Sequence, residues 1–347
     1  MTESSVNIPY PWQQGAWQRI QQQIVQNKIP HALLLSGQQG IGKWHFAQSL
    51  ADYLLCLSPK AELACGQCRS CQLLLAQSHP DKKIVIPEET GKAIKIEQIR
   101  ELSQYVSKTA QQGGRKVVLL GPVEQLNANA ANALLKSLEE PAGDTVLLLF
   151  THVQSAVMAT IRSRCQLLSL SAPSRAVAIE WLDKLQIEDN HTLLDLAGGA
   201  PLIARDMIEG DYLEHLHIFV KTLHAITPAV SHAGAVPDIS MATQYLPLSV
   251  AHLTQWWLQI IHRLLAEPND RAMSANDLKT DEVTGHNITA YVERIMQSGR
   301  RLNKQWLFKF SDKLVLLRKQ QLQGANPNMQ LLVEELLLDW QVIVQRS

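Results

Sequence analysis

The segment at residues 37–44 reads Gly37-Gln38-Gln39-Gly40-Ile41-Gly42-Lys43-Trp44. It follows the apolar run Ala32-Leu33-Leu34-Leu35 and precedes a helical pattern, which is the strand, loop and helix order of a phosphate-binding loop. In such a loop, backbone N–H groups surround the phosphates at the helix N-terminus, and the lysine reaches the terminal phosphates. The sequence therefore predicts an α/β nucleotide-binding scaffold, a parallel sheet with helices on both faces, whose phosphate-binding residues are Gly37, Gly40, Gly42 and Lys43.

The side chains that would hold a metal ion are missing from this scaffold. A serine or threonine that ligates Mg²⁺ normally follows the lysine, but Trp44 offers one N–H donor and no oxygen. The predicted strand at residues 116–120 ends at Gly121 and Pro122, where an active ATPase of this type has an Asp for the metal and a Glu for the attacking water. We therefore expect at most weak nucleotide or anion binding, and no hydrolysis of ATP at this site.

Length and charge exclude some functional classes. The chain has 347 residues, of which 46% are apolar, so two or three ordinary domains are expected. Lys and Arg together number 32, as do Asp and Glu, so no overall field attracts nucleic acid or a membrane. The N-terminus lacks a signal-peptide pattern, and no apolar run approaches the roughly 18–20 residues that span a bilayer. We expect a cytoplasmic protein whose five cysteines are reduced.

Four of the cysteines are spaced C-x8-C-x2-C-x2-C on a short polar insertion after the helix that follows the phosphate loop. Four thiolates complete a tetrahedral shell with no open position, so the pattern predicts a structural Zn²⁺ site rather than a catalytic one. An iron–sulfur cluster and ordinary apolar packing are the alternatives, although the run lacks the Cys-Pro ending of ferredoxins and lies among polar residues. The predicted ligands are Cys56, Cys65, Cys68 and Cys71.

Hydrophobic periodicity predicts the other elements of this region. The predicted strands are residues 31–36, 83–87, 116–120 and 145–151, and the predicted helices are residues 12–27, 43–57, 96–106 and 130–140. His79 and Asp81 flank Pro80 just before the second strand. Metal or acid–base chemistry is one interpretation of this pair, but we favour a cap and a turn that lead into the strand.

Two further motifs follow the predicted phosphate loop. The first reads Asn132-Ala133-Leu134-Leu135-Lys136-Ser137-Leu138-Glu139-Glu140-Pro141, and the second reads Ile161-Arg162-Ser163-Arg164-Cys165. By periodicity alone, the first is an amphipathic helix with a proline stop, and the second is a charged helix end. In this order, after a phosphate loop and a cysteine insertion, the two motifs resemble the clamp-loader branch of the AAA+ family, with motifs that extend over residues 10–210.

The resemblance implies roles for individual residues. Arg164 matches the arginine finger that a clamp-loader subunit inserts into the ATP site of its neighbour, where a guanidinium on the γ-phosphate is worth roughly 10³–10⁵ in rate. Arg162 is expected to support the loop or to point elsewhere. Leu202 occupies the place of an arginine that contacts nucleotide in active relatives, so a third nucleotide contact is predicted to be lost. Arg205, one turn later, is expected to face away.

The resemblance also implies three domains. We expect an AAA+ P-loop-like domain at residues 1–170, a small helical lid at 171–211 and an all-α collar at 212–347, with a loop at 231–237. Apolar stripes at residues 250–264 and 329–344 are interpreted as core or subunit-contact packing rather than as a surface that contacts DNA or a cofactor.

The leading functional prediction is a non-catalytic clamp-loader subunit of a DNA polymerase holoenzyme. Its implied partners are the motor subunits (gamma/tau) and the delta subunit of a hetero-pentamer and, through that complex, the sliding clamp and primed DNA, with no membrane. A self-contained AAA+ ATPase acting on DNA is the alternative. A zinc-dependent DNA-binding protein is a third hypothesis, which is disfavoured because the basic residues near the cysteines are sparse.

Overall fold

A computed structural model describes residues 7–89, 92–112, 114–139, 143–187, 190–208, 250–266, 302–322 and 327–345, together with Phe219 and Leu223. The chain divides into two compact units. The first comprises residues 1–188 and 199–203, and the second comprises residues 189–198 and 204–347. The division into domains at 1–170, 171–211 and 212–347 stays a prediction, and the loop expected at residues 231–237 lies outside the described residues.

The first unit is built on a five-stranded sheet with the order β2-β3-β4-β1-β5, in which every neighbouring pair is parallel. The strands are β1 (Ala32–Ser36), β2 (Lys82–Val85), β3 (Lys116–Leu120), β4 (Thr145–Thr151) and β5 (Gln166–Ser169). This arrangement confirms the predicted fold class, since strands that return in parallel need helical crossovers on the sheet's faces.

The three central strands are apolar on both faces because helices cover both sides of the sheet. Leu33 and Leu35 of β1 belong to one buried cluster, which also contains Phe46 and Leu50 of the helix after the phosphate loop. Leu34, between them, belongs to a second buried cluster on the opposite face. Successive side chains of a strand point to opposite faces, so this run of leucines fills two cores at once.

Nine helices of the chain's first 208 residues are described. They are α1 (Gln14–Val25), α2 (Lys43–Leu55), α3 (Arg69–Leu75), α4 (Ile96–Val106), α5 (Ala128–Glu139), α6 (Ala159–Arg162), α7 (Arg175–Lys184), α8 (Asn190–Leu196) and α9 (Pro201–Asp206). Short 3₁₀ turns lie at Pro11–Gln13, Val123–Gln125 and Gln154–Ala156.

Several observed elements differ from the predicted ones by one or two residues at an end; α1, for example, is Gln14–Val25 rather than 12–27. Three other differences concern α2, the cysteine segment and β5. Helix α2 ends at Leu55 rather than at residue 57, and the side chain of Leu57 is exposed. The cysteine segment contains a helix, α3, where only a polar insertion was expected. Strand β5 was missed because it is four residues long at the sheet edge and buries only Leu168, which leaves no periodic pattern.

The described part of the second unit is helical after residue 208 and includes α10 (Val250–Ala266), α11 (Lys304–Leu322) and α12 (Met329–Gln345). Aromatic side chains join these helices: the rings of Trp257 and Phe310 lie 5.4 Å apart, and those of Phe310 and Trp340 lie 5.9 Å apart. Trp257 and Trp340 are fully buried, so the packing interpretation of both apolar stripes is confirmed. Within the described residues, no helix is long and apolar enough to cross a bilayer.

Candidate functional site

The phosphate loop has the backbone that its glycines predict. Gly40 and Gly42 have φ values of +78° and +84°, a left-handed conformation that favours glycine. Lys43 begins α2 and is 3% exposed, and its Nζ donates to the carbonyl oxygens of Gly37 at 2.7 Å and Gln38 at 2.5 Å. Burial lowers the pKa of Lys43 to about 8. The lysine therefore lies folded against the carbonyl groups of its own loop.

Residues 7–13, which we call the N-terminal strap, form hydrogen bonds with the backbone of this loop. The Trp12 indole N–H donates to the carbonyl of Ile41 at 3.0 Å, and Gln13 Nε2 donates to the carbonyls of Ile41 and Gly42 at 2.9 and 3.0 Å. A Cβ on Gly42 would lie 2.6 Å from the Tyr10 ring. Because protein groups satisfy these carbonyls and cover this glycine, the loop keeps its shape through contacts within the chain.

A cluster of four aromatic rings lies beside the strap. The rings of Tyr10 and Trp12 stack at 4.8 Å with an interplanar angle of 4°, and Trp181 of α7 meets both edge-on at 5.6 and 5.4 Å. The ring of His45 is 4.6 Å from that of Tyr10, and its Nε2 lies 2.7 Å from the carbonyl oxygen of Ile8. Sequence reasoning missed this cluster because its members come from three separate segments.

The position next to Lys43, which carries a metal-binding hydroxyl in the full motif, has an apolar side chain that fills the corner between α2 and β4. The half-buried Trp44 ring packs against Phe150 of β4 at 5.6 Å. A Cβ on Gly121 would lie 2.6 Å from the carbonyl oxygen of Phe150, so a side chain at this position requires the backbone to move. The missing aspartate at residue 121 is thus excluded by packing as well as absent from the sequence.

We expect Gly121→Asp to destabilise the chain and to create no Mg²⁺-dependent ATP turnover. Overpacking against a strand carbonyl typically costs about 1–3 kcal/mol, to be measured as a lower denaturation midpoint in urea. Gly15→Ala is the matched control, because a Cβ on Gly15 meets no atom within 4 Å and an alanine in α1 should stabilise by roughly 0.5–1 kcal/mol. Equal midpoints for Gly121→Asp and the unmodified chain would contradict the packing argument.

Two polar residues near the loop were not predicted from the sequence. Glu124 Oε1 accepts a hydrogen bond from the backbone N–H of His152 at 2.7 Å, while Glu124 Oε2 and His152 Nδ1 are buried without a partner in the described residues. Burial, and next the charge of Lys43, lower the pKa of His152 to about 3. The charge of Glu124 raises the pKa of Lys43, against the larger effect of burial. A carboxylate therefore lies near the loop lysine, although the motif positions lack one.

Leu202 contacts the phosphate loop through a backbone hydrogen bond. Its N–H donates to the carbonyl of Gly40 at 3.1 Å, and a Cβ on Gly40 would lie 2.4 Å from the side chain of Ile203. Arg205 Nε donates to Asp206 at 2.8 Å, one residue further along. Leu202 is therefore adjacent to the phosphate loop, and the loss of a nucleotide-binding arginine at this position stays a prediction.

The four predicted metal ligands converge at the junction of α2 and α3. Their Sγ atoms all lie within 4.8 Å of one another, and the Cys56–Cys68 and Cys65–Cys71 pairs are each separated by 3.9 Å. A tetrahedral zinc site with Zn–S bonds of about 2.3 Å requires sulfur atoms about 3.8 Å apart. The cluster therefore has the ligand number and spacing of a metal site, and four thiols fit Zn²⁺.

Hydrogen-bond donors surround these sulfurs. The backbone N–H groups of Cys65, Cys68 and Cys71 each point to the Sγ of the preceding ligand, at 3.3–3.4 Å. The hydroxyl of Ser58 donates to Cys65 Sγ and, with the backbone N–H groups, lowers the pKa of that thiol to about 5. At Cys65, these donors favour the thiolate, which is the form that binds metal. Burial raises the pKa of Cys56 and of Cys71, so these two thiols would have to lose their protons as the metal binds.

His79 and Asp81 have structural contacts beside this cluster. His79 Nε2 lies 2.9 Å from the hydroxyl of Ser70, and its Nδ1 accepts the N–H of Asp81 at 3.1 Å. The Asp81 carboxylate accepts the N–H groups of Gln111 and Gln112, both at 2.8 Å. These contacts support the turn interpretation over metal or acid–base chemistry.

Arg164 follows α6 and reaches the C-terminal end of α5. Its Nε donates to Glu139 at 2.7 Å, its Nη2 forms an ion pair with the same carboxylate, and its Nη1 donates to the carbonyl of Thr160 at 2.9 Å. The guanidinium side chain is 33% exposed, whereas Arg162 lies on the exposed surface. The two motifs that carried the resemblance therefore meet in space.

The chain is similar in sequence to replication proteins. Residues 12–174 match the family described as "DNA polymerase III, delta subunit". The chain is 37% identical over 342 residues to the DNA polymerase III subunit delta' of Pseudomonas aeruginosa, covering 95% of this chain and 97% of that protein. It is also 37% identical over 215 residues to the protein of the same name from Haemophilus influenzae, covering 61% of this chain and 65% of that protein. A solved DNA polymerase III gamma-subunit-related protein of Thermotoga maritima has 19% identity to this chain and a TM-score of 0.48, with 95% of this chain and 99% of that chain covered.

Proposed function

Because the chain belongs to the DNA polymerase III subunit delta' family, within the clamp-loader proteins, we propose that it is the subunit of that assembly that hydrolyses no ATP itself. In this proposal, it occupies one position of a hetero-pentamer with the motor subunits (gamma/tau) and the delta subunit. Through the complex, it takes part in placing the sliding clamp on primed DNA in the cytoplasm.

The observation that carries the proposal is the filled corner beside Lys43. ATP hydrolysis by proteins with a phosphate loop needs Mg²⁺ held by a hydroxyl and an acid, together with a residue that orients water. Here Trp44 and Phe150 occupy the corner, and Gly121 approaches a backbone carbonyl too closely to carry a side chain. The loop can still present N–H groups to an anion, because that capacity depends on backbone alone.

Arg164 is the residue that we propose acts in a neighbouring site. It lies on a short segment after α6 with a partly exposed guanidinium, as a residue that reaches across a subunit boundary requires. A planar and permanently charged guanidinium matches the oxygens of a transferring phosphoryl group, which an ammonium does less well. In this way, the chain assists hydrolysis without a complete site of its own.

We propose that the four clustered thiols hold a structural Zn²⁺. The ligands come from the end of α2, the segment that follows it and α3, so the metal would fix α3 against the helix that begins at the phosphate loop. A closed shell of four sulfurs leaves no position for a substrate or a water nucleophile. The role of the metal would therefore be to stabilise this junction.

The purified chain alone is expected to show no Mg²⁺-dependent ATP turnover above a blank. The measurement is phosphate release by the isolated protein, compared with Lys43→Ala and with the complex reconstituted from motor and delta subunits. Turnover should appear only with the complex and should be unaffected by Lys43→Ala in this chain, because hydrolysis takes place in the motor subunits.

One observation favours the alternative of a self-contained ATPase. Glu124 lies close enough to Lys43 to affect its pKa, and its Oε2 is buried without a partner in the described residues. This carboxylate would then replace the missing acid. Turnover by the isolated chain that is lost in both Lys43→Ala and Glu124→Gln would establish this alternative and overturn the non-catalytic proposal.

A further inference from the structure

We infer that Glu139 is a positioning residue for Arg164. Before the subunits meet ATP, Glu139 already holds the guanidinium in the orientation that contacts the γ-phosphate of the neighbouring site. This inference rests on the proposed role of Arg164 and adds a residue to it. By periodicity, Glu139 is only the solvated end of an amphipathic helix. In the structure, it is the acidic partner of the arginine on which the proposed function depends.

The contacts hold the guanidinium from two sides. Glu139 Oε1 accepts a hydrogen bond from Nε and forms an ion pair with Nη2, while the carbonyl of Thr160 and the hydroxyl of Ser163 accept hydrogen bonds from Nη1 at 2.9 and 3.4 Å. A guanidinium has five N–H donors, and the three hydrogen bonds use one from Nε and two from Nη1. The two N–H groups of Nη2, which pairs with Glu139 by charge, are left beyond this set on a group whose plane is already fixed.

The ion pair between Arg164 and Glu139 contributes little to the stability of the fold. The side chains of Arg164 and Glu139 are 33% and 49% exposed, and ion pairs between exposed groups contribute little because solvent screens them. Glu139 is also the last residue of α5, where the helix dipole disfavours a negative charge. An acid at this position therefore does not stabilise its own helix, and its contact with Arg164 is the better reason for its presence.

Positioning has a direct consequence for rate. Arginine loses considerable rotamer freedom when its guanidinium is fixed, and that loss adds to the barrier if it occurs only in the transition state. A side chain that is already oriented avoids this loss, so its partner affects the rate of the chemical step rather than ATP binding. The opposite possibility, that Glu139 competes with the phosphate for Arg164, predicts a faster reaction when the acid is removed.

The test is ATP turnover of the complex reconstituted with Glu139→Ala or Glu139→Gln in this chain. We expect Glu139→Ala to lower kcat roughly tenfold to a hundredfold with KM for ATP changed less than about twofold, as for a misplaced catalytic group. Glu139→Gln should lose less, because its amide oxygen still accepts Nε. Glu180→Ala is the control, since Glu180 forms an exposed ion pair with Lys184.

Double substitution separates the two proposals. If Glu139 acts through Arg164, then Glu139→Ala adds no further loss to Arg164→Ala. A large loss with Arg164→Ala but unchanged or faster turnover with Glu139→Ala would overturn the positioning role and leave the finger in place. Unchanged turnover with Arg164→Ala would instead overturn the proposed function itself. An additive loss in the double variant would also contradict action through Arg164.

Discussion

Replacing Arg164 by alanine is expected to leave the chain folded and the complex assembled, but to lower ATP hydrolysis at the neighbouring site by roughly 10³–10⁵-fold. The guanidinium would stabilise charge that builds on the γ-phosphate oxygens in the transition state, so its loss lowers kcat more than it weakens ATP binding. Clamp- and DNA-dependent phosphate release by the reconstituted complex measures the effect. Size-exclusion chromatography of the same samples reports assembly.

Two variants control for charge and for location. Arg164→Lys keeps a positive charge but loses the planar fork, so it should restore only a small part of the rate. Arg162→Ala removes an exposed arginine two residues earlier and should leave turnover near that of the unmodified complex. If Arg164→Ala hydrolyses ATP as fast as Arg162→Ala, Arg164 does not act in the neighbouring site.

The second large effect is expected at the cysteine cluster. Replacing Cys65 and Cys68 together by serine should abolish metal binding, because it removes two of the four sulfurs that lie within 4.8 Å of one another. Structural zinc sites of small domains bind with apparent free energies of about 10–16 kcal/mol, so the junction of α2 and α3 should unfold without it. Elemental analysis of the purified protein and hydrogen exchange over residues 55–75 measure the two consequences.

Cys165→Ser is the matched control for this experiment. Cys165 is not among the four thiols that cluster within 4.8 Å of one another. This variant should retain one zinc per chain. Zinc that persists after Cys65 and Cys68 are replaced, or iron with visible cluster absorbance in the unmodified protein, would rule out the four-thiolate zinc site.

The sequence predicted those strands and helices whose residues are all buried, or all follow one periodic pattern, from the first residue to the last. Strands β1, β3 and β4 are apolar at nearly every position because helices cover both faces of the sheet, and their bounds agree with the predictions to within one residue. Strand β5 has no such signal, because it lies at an edge and pairs only with β1. Helix α3 was missed because it is only seven residues long and its one cysteine, Cys71, belongs to a motif that indicates a metal ligand rather than a helix position.

The candidate site was predictable where a motif fixes its chemistry and hidden where contacts come from distant segments. Sequence alone identified Trp44 and Gly121 as losses, since the chemistry of those positions requires oxygen ligands. It did not indicate that Gly121 meets the carbonyl of Phe150, or that Glu139 contacts Arg164, 25 positions further along the chain. Such pairs depend on how helices and strands pack, and local patterns do not carry that information.

The strand order has a consequence for how the chain folds during translation. Strand β1 lies between β4 and β5, and Ala32 pairs with Leu147 while Leu33 pairs with Gln166, so neither partner exists when β1 leaves the ribosome. The nascent chain therefore carries an unpaired apolar segment until β4 has emerged at residue 151, and one edge of that segment stays open until residue 169 has emerged. Closure of the sheet is consequently a late event. Until then, the apolar residues of β1 are exposed and can be bound by chaperones.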